Sequence, residues 1–289
     1  MTAREVDEAL LRGWPLPAVD GDGDKESRGS VLVVAGSREV PGAAVLAAEA
    51  ALRAGAGKLV VATPESAWAL VAAALPEARV VPLAETSSGG PQPGSFRALA
   101  SCAADTAAVL VGPGMADTLA TAMFVQDLLA LFAGSTFVLD ALAMDCVRNG
   151  LRFRQPVLLT PHAGEMAHLT GGDKQEIHER PMEVAARQAA AWNAVVALKG
   201  ATTCIASPDA RAWRHSAETP GLATSGSGDV LAGLVAGLAA RGAPPEQAAV
   251  WGVALHARAG AALGARIGAV GYLARDLAAE VPALMQALS

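Results

Sequence analysis

The chain has 289 residues, of which 52% are hydrophobic and 17% charged, a composition that excludes a disordered chain and supplies an extensive core. A formal net charge of −6 without a basic cluster excludes general nucleic-acid binding, although backbone amides can still form a local anion site. Because no apolar run reaches roughly 20 residues and the N-terminus lacks a long apolar stretch, we expect a cytoplasmic protein without membrane contact. The distant cysteines Cys102, Cys146 and Cys204 predict buried free thiols.

Short, almost wholly apolar runs alternate with alanine-rich stretches along most of the chain. Strands are predicted at SVLVVAG from Ser30, KLVVATP from Lys58, a run near Val80, AAVLVG, STFVLD, PVLLT and AVVALKG. Helices are predicted over Gly42 to Ala54, Ser66 to Leu75, Thr118 to Leu131 and Pro181 to Trp192, and from Asp229, Pro245 and Tyr272. Apolar strands of this kind are typical of a parallel sheet that is covered on both faces.

The alternation predicts one doubly wound α/β domain over residues 1–289. TTCIAS and RAWRH, joined by the turn SPDA, predict an antiparallel pair at one edge of the sheet. The segment ETSSGGPQPGS from Glu85 predicts a surface loop rather than a linker, since the same alternation resumes after it.

The most informative segment is TSGSGDVLAGLVAGLAARG, which begins at Thr224 and joins a glycine turn to an apolar helix. Gly226 and Gly228 allow a tight turn and a close ligand, and the start of a helix offers unpaired N–H groups to phosphate. A carboxylate beside bound phosphate is unfavourable, so Asp229 is a candidate proton acceptor. The alternative is that Asp229 caps the helix like many other Asp residues.

Two more glycine-containing turns follow predicted strands, where ligands bind in open α/β sheets. VLVVAGSREVPGAA lacks the GxGxxG spacing of a dinucleotide site, and VLVGPGM predicts a rigid turn that a ligand could touch. VALKGATTCIA offers Lys199, a glycine and two hydroxyl groups to a nucleotide phosphate, with a hairpin and a surface lysine as the alternative.

LLTPHAGEMAHLTG, from Leu158, ends a strand at Thr160 and begins a helix just after His162. His162 could bind a ligand or carry a proton, and Glu165 could orient a hydrated Mg²⁺, which prefers oxygen ligands. The alternatives are a solvated histidine and an acid that the helix dipole favours. His168, His178, His215 and His256 are predicted to be surface or packing residues.

The order of these segments, GSREVPGAA, VGPGM, VLD, TPHAGE, ALKGATT and SGSGDVLAG, resembles the ribokinase-like superfamily, and more closely the ADP/ATP-dependent NAD(P)H-hydrate dehydratases. The resemblance extends from about Gly29 to beyond His256. It implies a three-layer sandwich with a mostly parallel sheet, helices on both faces and an antiparallel edge. It also implies repair of the S epimer of hydrated NADH or NADPH (NADHX or NADPHX), with ADP, or else ATP, and Mg²⁺. ADP would be released as AMP and phosphate.

The resemblance also implies roles for individual residues. Asp229 would be the catalytic base. The hydrated cofactor would bind at Ala43, Gly114, His162 and Asp229, and the nucleotide at Lys199, Gly200, Ala201, Thr202, Thr203 and Gly228. Glu165 would hold Mg²⁺ through water. Family members further imply a homotetramer and, because no epimerase domain is fused here, cooperation with a separate NAD(P)H-hydrate epimerase.

Three departures separate this chain from the usual family pattern. It reads DALAMD from Asp140, with Asp145 in place of the usual asparagine; Ser227 stands where threonine is frequent; and an upstream asparagine is missing. One alternative function is an ATP-dependent kinase of a vitamin precursor or sugar, although such kinases usually carry TPN and often a strand lid. The other is a nucleotide-binding sensor or scaffold without catalysis, against which Asp229 and Lys199 argue.

Overall fold

The computed structural model describes residues 2–18, 24–217 and 219–288. The described residues form one ten-stranded sheet, with strands β1 (Arg4–Glu5), β2 (Ser30–Val34), β3 (Lys58–Pro64), β4 (Arg79–Leu83), β5 (Thr106–Val111), β6 (Thr136–Leu139), β7 (Val157–Leu159), β8 (Val195–Leu198), β9 (Thr202–Ala206) and β10 (Ala212–Ser216). Their order across the sheet is β1-β10-β9-β8-β7-β6-β5-β2-β3-β4.

All described neighbours pair in parallel except β9, which runs antiparallel to both β8 and β10. The carboxyl ends of the other strands therefore lie along one edge, together with the turn between β8 and β9. The chain first moves outward from β2 to β4 and then returns to place β5 on the other side of β2. This reversal makes the gap between β2 and β5 a switch point, where the loops that follow the two strands diverge and leave a crevice.

Ten α-helices and three short 3₁₀ helices connect the described strands. The α-helices are α1 (Glu8–Gly13), α2 (Gly42–Arg53), α3 (Glu65–Ala74), α4 (Thr118–Leu131), α5 (Ala163–Thr170), α6 (Lys174–Glu179), α7 (Pro181–Trp192), α8 (Ser227–Ala240), α9 (Pro245–Arg266) and α10 (Ala274–Leu288). The 3₁₀ helices span Ser95–Cys102, Ala141–Asn149 and Pro220–Leu222.

Helices cover both faces of the sheet and give the molecule three layers. Successive residues of a strand point to opposite faces, so Val31 and Val33 pack with α2 and α8, while Leu32 and Val34 pack under α4. Helices α4 to α7 lie on that second face, and the other helices pack on the first. Every residue of β2 is buried, because neither face of the strand meets water.

Helix α8 runs through the first layer with almost its whole surface buried. A Cβ atom on Gly233 or Gly237 would collide with the backbone of Ala47 or Ala51 in α2, so the two helices pack with their backbones close together. Side chains of α9 pack against another side of α8. This tight packing holds the first turn of α8 at the carboxyl edge of the sheet.

The predicted strands and helices are confirmed, with small shifts at the ends. Helix α8 begins at Ser227 rather than Asp229, and α10 begins at Ala274 rather than Tyr272. The sequence analysis missed β1, which lies beside β10 at the edge, and the helix α1 that follows it.

None of the helices in the described ranges combines the length and the apolar character needed to cross a membrane. Cys102, Cys146 and Cys204 are buried and free, as predicted.

Candidate active site

The loops that follow β2 and β5 meet at the switch point. The backbone N–H of Gly36 donates to the carbonyl oxygen of Pro113 at 2.7 Å, which ties the two loops together. Gly114 has φ of 63°, and a Cβ atom there would lie 2.5 Å from the Cβ atom of Ala43. Only a glycine allows this approach, so the two predicted substrate-binding residues are in contact.

Next to this contact, one ammonium group is held among carboxylates at the ends of β6 and β8. Lys199 Nζ lies 3.0 Å from Asp140 Oδ1, which also accepts a hydrogen bond of 2.6 Å from Thr160 Oγ1. Glu165 Oε2 lies 3.8 Å from the same ammonium nitrogen. Burial opposes the charge of Lys199, but the carboxylates of Asp140, Glu165 and Asp229 outweigh it and raise the pKa of Lys199. Lys199 therefore stays charged.

The start of helix α5 is closed by its own side chains. His162 is the N-cap, and its Nδ1 accepts hydrogen bonds from the backbone N–H groups of Gly164 at 3.0 Å and Glu165 at 3.2 Å. Glu165 Oε2 accepts in return from the N–H of His162 at 2.8 Å, which completes a capping box. Because Nδ1 accepts, the imidazole of His162 is free to use Nε2 for another partner.

The start of helix α8 is built differently. Its N-cap is Gly226, with φ of 86°, and no side chain accepts a hydrogen bond from the first turn. A Cβ atom on Gly226 would lie 2.6 Å from Leu46 Cδ1, the end of a flexible side chain, so the positive φ is the main reason for a glycine at this position. Asp229 is the third residue of the helix and does not cap it, so the interpretation of Asp229 as an N-cap is wrong.

Asp229 is half-buried at the centre of these groups. Burial and the negative charge of Asp140 raise the pKa of Asp229, the positive charge of Lys199 lowers it in part, and the net result is a pKa of about 6. A carboxyl group with a pKa near neutrality suits a general base, because it is largely ionised at pH 7 and still binds a proton well.

A cavity of about 870 Å³ opens beside the first turn of α8. Among the predicted site residues it is lined by His162, Lys199, Gly200, Ala201, Thr203 and Gly228. The rest of the wall is mainly apolar and comes from β10, α8, α9 and the 3₁₀ helix Pro220–Leu222. Such a cavity has the size and the mixture of apolar and polar groups expected of a ligand site.

Thr202 is outside this cavity. Its Oγ1 lies 2.9 Å from Ser216 Oγ, and the residue lines a second cavity of about 780 Å³ on the other side of the β8–β9 turn. Ala43, Gly114 and Asp229 also lie outside the lining of the larger cavity. Asp229 is adjacent to it, since Asp229 directly follows the lining residue Gly228 in α8.

The sequence analysis missed several residues of the site. His215 and His256, predicted to be surface or packing residues, both line the larger cavity, and His256 also contacts Ser227 at the start of α8. Histidines at these positions carry no local sequence signal, because α9 reaches the site only through the packing of helices. Asp145, which departs from the family pattern, is buried and pairs with His168 at 2.9 Å. It is absent from the lining of the larger cavity.

Comparison with known proteins now adds to this geometry. A family model described as NAD(P)H-hydrate dehydratase matches residues 31–283. An ADP-dependent (S)-NAD(P)H-hydrate dehydratase of Xanthomonas campestris is 49% identical over 285 residues, which cover 99% of this chain and 97% of the relative. The chain belongs to the NAD(P)H-hydrate dehydratase family. The family that was predicted from the sequence is therefore confirmed.

Other members of the NAD(P)H-hydrate dehydratase family support the same assignment. The solved structure of the ADP/ATP-dependent enzyme of Bacillus subtilis, co-crystallised with ATP and Mg²⁺, matches with a TM-score of 0.86, 31% identity and 100% coverage of both chains. The predicted ribokinase-like sandwich is confirmed by this match and by the sheet order. A bifunctional NAD(P)H-hydrate repair enzyme of Moorella thermoacetica is 38% identical over 96% of this chain, which spans 54% of that relative.

Proposed function

We propose that the chain dehydrates the S epimer of hydrated NADH or NADPH, with ADP as the phosphoryl donor and AMP and phosphate as further products. The name of the Xanthomonas relative supports this reaction. The observation that carries the proposal is the position of Asp229, a half-buried carboxyl group with a pKa of about 6 in the first turn of an uncapped helix. A base and an anion-binding helix start thus occupy the same turn.

The hydrated nicotinamide ring would lie over the contact between Ala43 and Gly114, with its hydroxyl group towards Asp229. Asp229 accepts the proton of this hydroxyl as the oxygen attacks the terminal phosphorus of the nucleotide. The bond from phosphorus to the nucleotide breaks, and AMP leaves when the donor is ADP. The C–O bond to the new phosphate group then breaks and the neighbouring ring carbon loses a proton to solvent, which restores the double bond of NADH or NADPH and releases phosphate. His162 Nε2 is available to bind the substrate at the same end of the site.

Phosphoryl transfer of this kind depends on alignment and on stabilisation of charge. The N–H groups of the first turn of α8, next to Gly228, would hold the transferred phosphoryl group, and Lys199 would add its positive charge. The nucleotide would lie in the larger cavity along Lys199 to Ala201 and Thr203, with its base against the apolar wall. Thr202 contributes through its backbone in this arrangement, since its side chain faces the second cavity.

The carboxylates of Asp140, Glu165 and Asp229 outnumber the single ammonium group of Lys199 on which they act, so the cluster has a net negative formal charge. An excess of carboxylate oxygens suits Mg²⁺, which binds one or two carboxylates and keeps waters and phosphate oxygens as its other ligands. Among the described residues no group of three or more His, Cys, Asp or Glu side chains is arranged to hold a metal ion, so in this proposal Glu165 would hold the hydrated ion through water, with phosphate oxygens of the nucleotide as further ligands. When bound, Mg²⁺ supplies neutralisation of phosphate charge.

The test is to incubate the purified protein with ADP, Mg²⁺ and chemically hydrated NADH and to follow the absorbance of restored NADH. Restoration of absorbance with formation of AMP is the expected result. Reactions without nucleotide and reactions with ATP serve as controls and rank the two donors. Hydrated NADH and hydrated NADPH, compared in parallel, rank the substrates. Nucleotide binding without restoration would contradict the proposal, and a stable phosphorylated product would indicate a kinase.

Two further expectations concern partners. A separate epimerase would convert the R epimer of the hydrate into the S epimer that this chain uses, and the existence of bifunctional repair enzymes supports such a pairing. A homotetramer in the cytoplasm is the assembly and location that we propose. Light scattering after size-exclusion chromatography gives the mass of the assembly, and a value equal to a single 29.1 kDa chain would exclude the tetramer.

A further inference from the structure

His256 is a half-buried link between α9 and the first turn of α8. Its Nε2 lies 3.0 Å from the backbone carbonyl oxygen of Ser227 and 2.9 Å from Ser227 Oγ. Ser227 is itself buried and is followed by Gly228 and Asp229. The imidazole therefore contacts the residue with which helix α8 begins.

The protonation of His256 follows from these contacts. Because a carbonyl oxygen can only accept a hydrogen bond, the contact with the carbonyl of Ser227 is a hydrogen bond when Nε2 carries the proton, and this is the tautomer that we assign to His256. Burial lowers the pKa of His256, the hydrogen bond to Ser227 raises it in part, the charge of Lys199 lowers it further, and the net result is a pKa of about 4. A second positive charge here would face both Lys199 and the positive end of the α8 dipole, so the neutral form is favoured.

The first turn of α8 needs such a link because it lacks a side-chain cap. Gly226 and Gly228 leave the backbone before Asp229 with more freedom than other residues would. Packing against Leu46 limits Gly226 from one side. His256 holds the next residue, Ser227, from another side through a hydrogen bond. The long helix α9 sets the direction of this hydrogen bond.

We propose that His256 is a positioning residue for the reaction: by donating to Ser227, it holds the first turn of α8 so that Gly228 meets the phosphoryl group and Asp229 meets the substrate hydroxyl. This inference rests on the proposed function, because it gives the turn of α8 its role in phosphoryl transfer. His256 itself does not touch the reacting atoms.

Two substitutions of His256 separate the effect of its hydrogen-bond donor from the effect of its side-chain volume. His256→Gln retains an N–H donor at a similar reach, whereas His256→Leu retains bulk and loses the donor. We expect kcat of the Leu variant to fall about tenfold or more, since a displacement of about 1 Å at a reacting centre is enough for such a loss. The KM for the hydrate should change less than about threefold, because Ala43, Gly114 and His162 are untouched. The Gln variant should recover most of kcat.

Gln247→Leu is the matched control for stability. Gln247 is buried in the same helix α9 and donates to the backbone carbonyl oxygens of Trp14 and Pro15 at 3.1 and 2.9 Å, away from the site. Its replacement removes hydrogen bonds from side chain to backbone without touching α8. We expect it to lower the melting temperature and to leave kcat unchanged. A loss of kcat equal to that of His256→Leu would show a general effect of stability and overturn the proposal.

Two measurements do not depend on turnover. The ¹⁵N shifts of the imidazole should show His256 neutral and protonated on Nε2, and calorimetry should show weaker ADP binding in the Leu variant than in the Gln variant. A proton on Nδ1 alone, or a Leu variant with unchanged kcat and ADP affinity, would overturn the role of His256. A wild-type chain without dehydratase activity would refute the proposed function instead, and the two failures are therefore distinguishable.

Discussion

Helices α5 and α8 both begin at the carboxyl edge of the sheet, and their first turns are built in opposite ways. In α5, His162 and Glu165 form a capping box that uses the N–H groups of Gly164 and Glu165 within the protein. In α8, Gly226 stands at the cap position and no side chain accepts from the first turn. One helix start is closed by its own residues, and the other is left open to a ligand.

This difference explains why the phosphoryl group is expected at α8 and not at α5. The dipole favours an anion at either helix start, but only α8 leaves N–H groups without a side-chain partner. At α5 the N–H groups of Gly164 and Glu165 bond to His162 Nδ1 and orient its imidazole, and we expect Nε2, which lies 3.7 Å from Glu165 Oε2, to contact the substrate. Each prediction below changes one side of this comparison.

The largest effect is expected from Asp229→Asn, which removes the base and keeps the shape of the open turn. We expect kcat to fall at least about a thousandfold, because the variant loses both general-base catalysis and the negative charge of the carboxylate. The two losses together exceed the loss of general-base catalysis alone. ADP affinity measured by calorimetry should change little. A variant with a rate near that of the wild type would exclude Asp229 as the base.

The stability of Asp229→Asn, compared with that of the wild type at different pH values, serves as a control for folding. A raised pKa means that the stability from Asp229 is present below its ordinary pKa and is lost as pH rises through about 6. At about pH 8 the Asn variant should therefore be more stable than the wild type, by at most about 3 kcal/mol, and the difference should nearly vanish at about pH 3, below the ordinary pKa of aspartate. Denaturant melts at the two pH values measure it.

The pH dependence of the wild-type enzyme is the next largest effect. Asp229 must be ionised to accept a proton, so kcat/KM should rise with pH through about 6 and level off above it. At about pH 4 the rate should be about a hundredfold below the plateau, since each pH unit below the pKa lowers the ionised fraction tenfold. If kcat/KM fell only near the ordinary pKa of aspartate, that pH profile would contradict the burial of Asp229.

Placing a side chain at the cap position of α8 is expected to have a smaller effect. Gly226→Ala places a side chain at φ of 86° and 2.6 Å from Leu46 Cδ1, and we expect it to lower the free energy of unfolding by about 2 kcal/mol. Gly150→Ala is the matched control, because Gly150 has φ of 75° but no neighbouring atom within 4 Å of its added Cβ. An equal loss in the two variants would show that packing against Leu46 adds nothing.

The smallest effect is expected from opening the closed turn. His162→Ala removes the cap of α5 and should lower the free energy of unfolding by about 1 kcal/mol, as loss of an N-cap usually does. The KM for the hydrate should rise as well, because Nε2 of His162 is lost from the site. His162→Asn is the comparison, because the Asn side chain restores an N-cap acceptor but lacks the imidazole Nε2. Stability restored together with substrate affinity would show that His162 acts only as a cap.

Much of the fold could be predicted from the sequence. Runs such as SVLVV and the strict alternation with alanine-rich stretches predicted the parallel sheet, since strands buried on both faces must be apolar throughout. The short strand β1 was not predictable, because two residues carry no periodicity. Its position comes from pairing with β10 and from the stacking of Trp14 on Trp213, with ring centroids 5.8 Å apart.

For the site, the sequence by itself determined the glycine turn, its carboxylate and the segments at the strand ends, because local backbone chemistry makes such segments recognisable. Only the tertiary structure decided that Asp229 does not cap its helix and has a raised pKa, since burial and the charge of Asp140 come from distant segments. The tertiary structure likewise placed His256 against Ser227, 29 residues away. Contacts and electrostatic fields of this range depend on packing, and no local pattern records them.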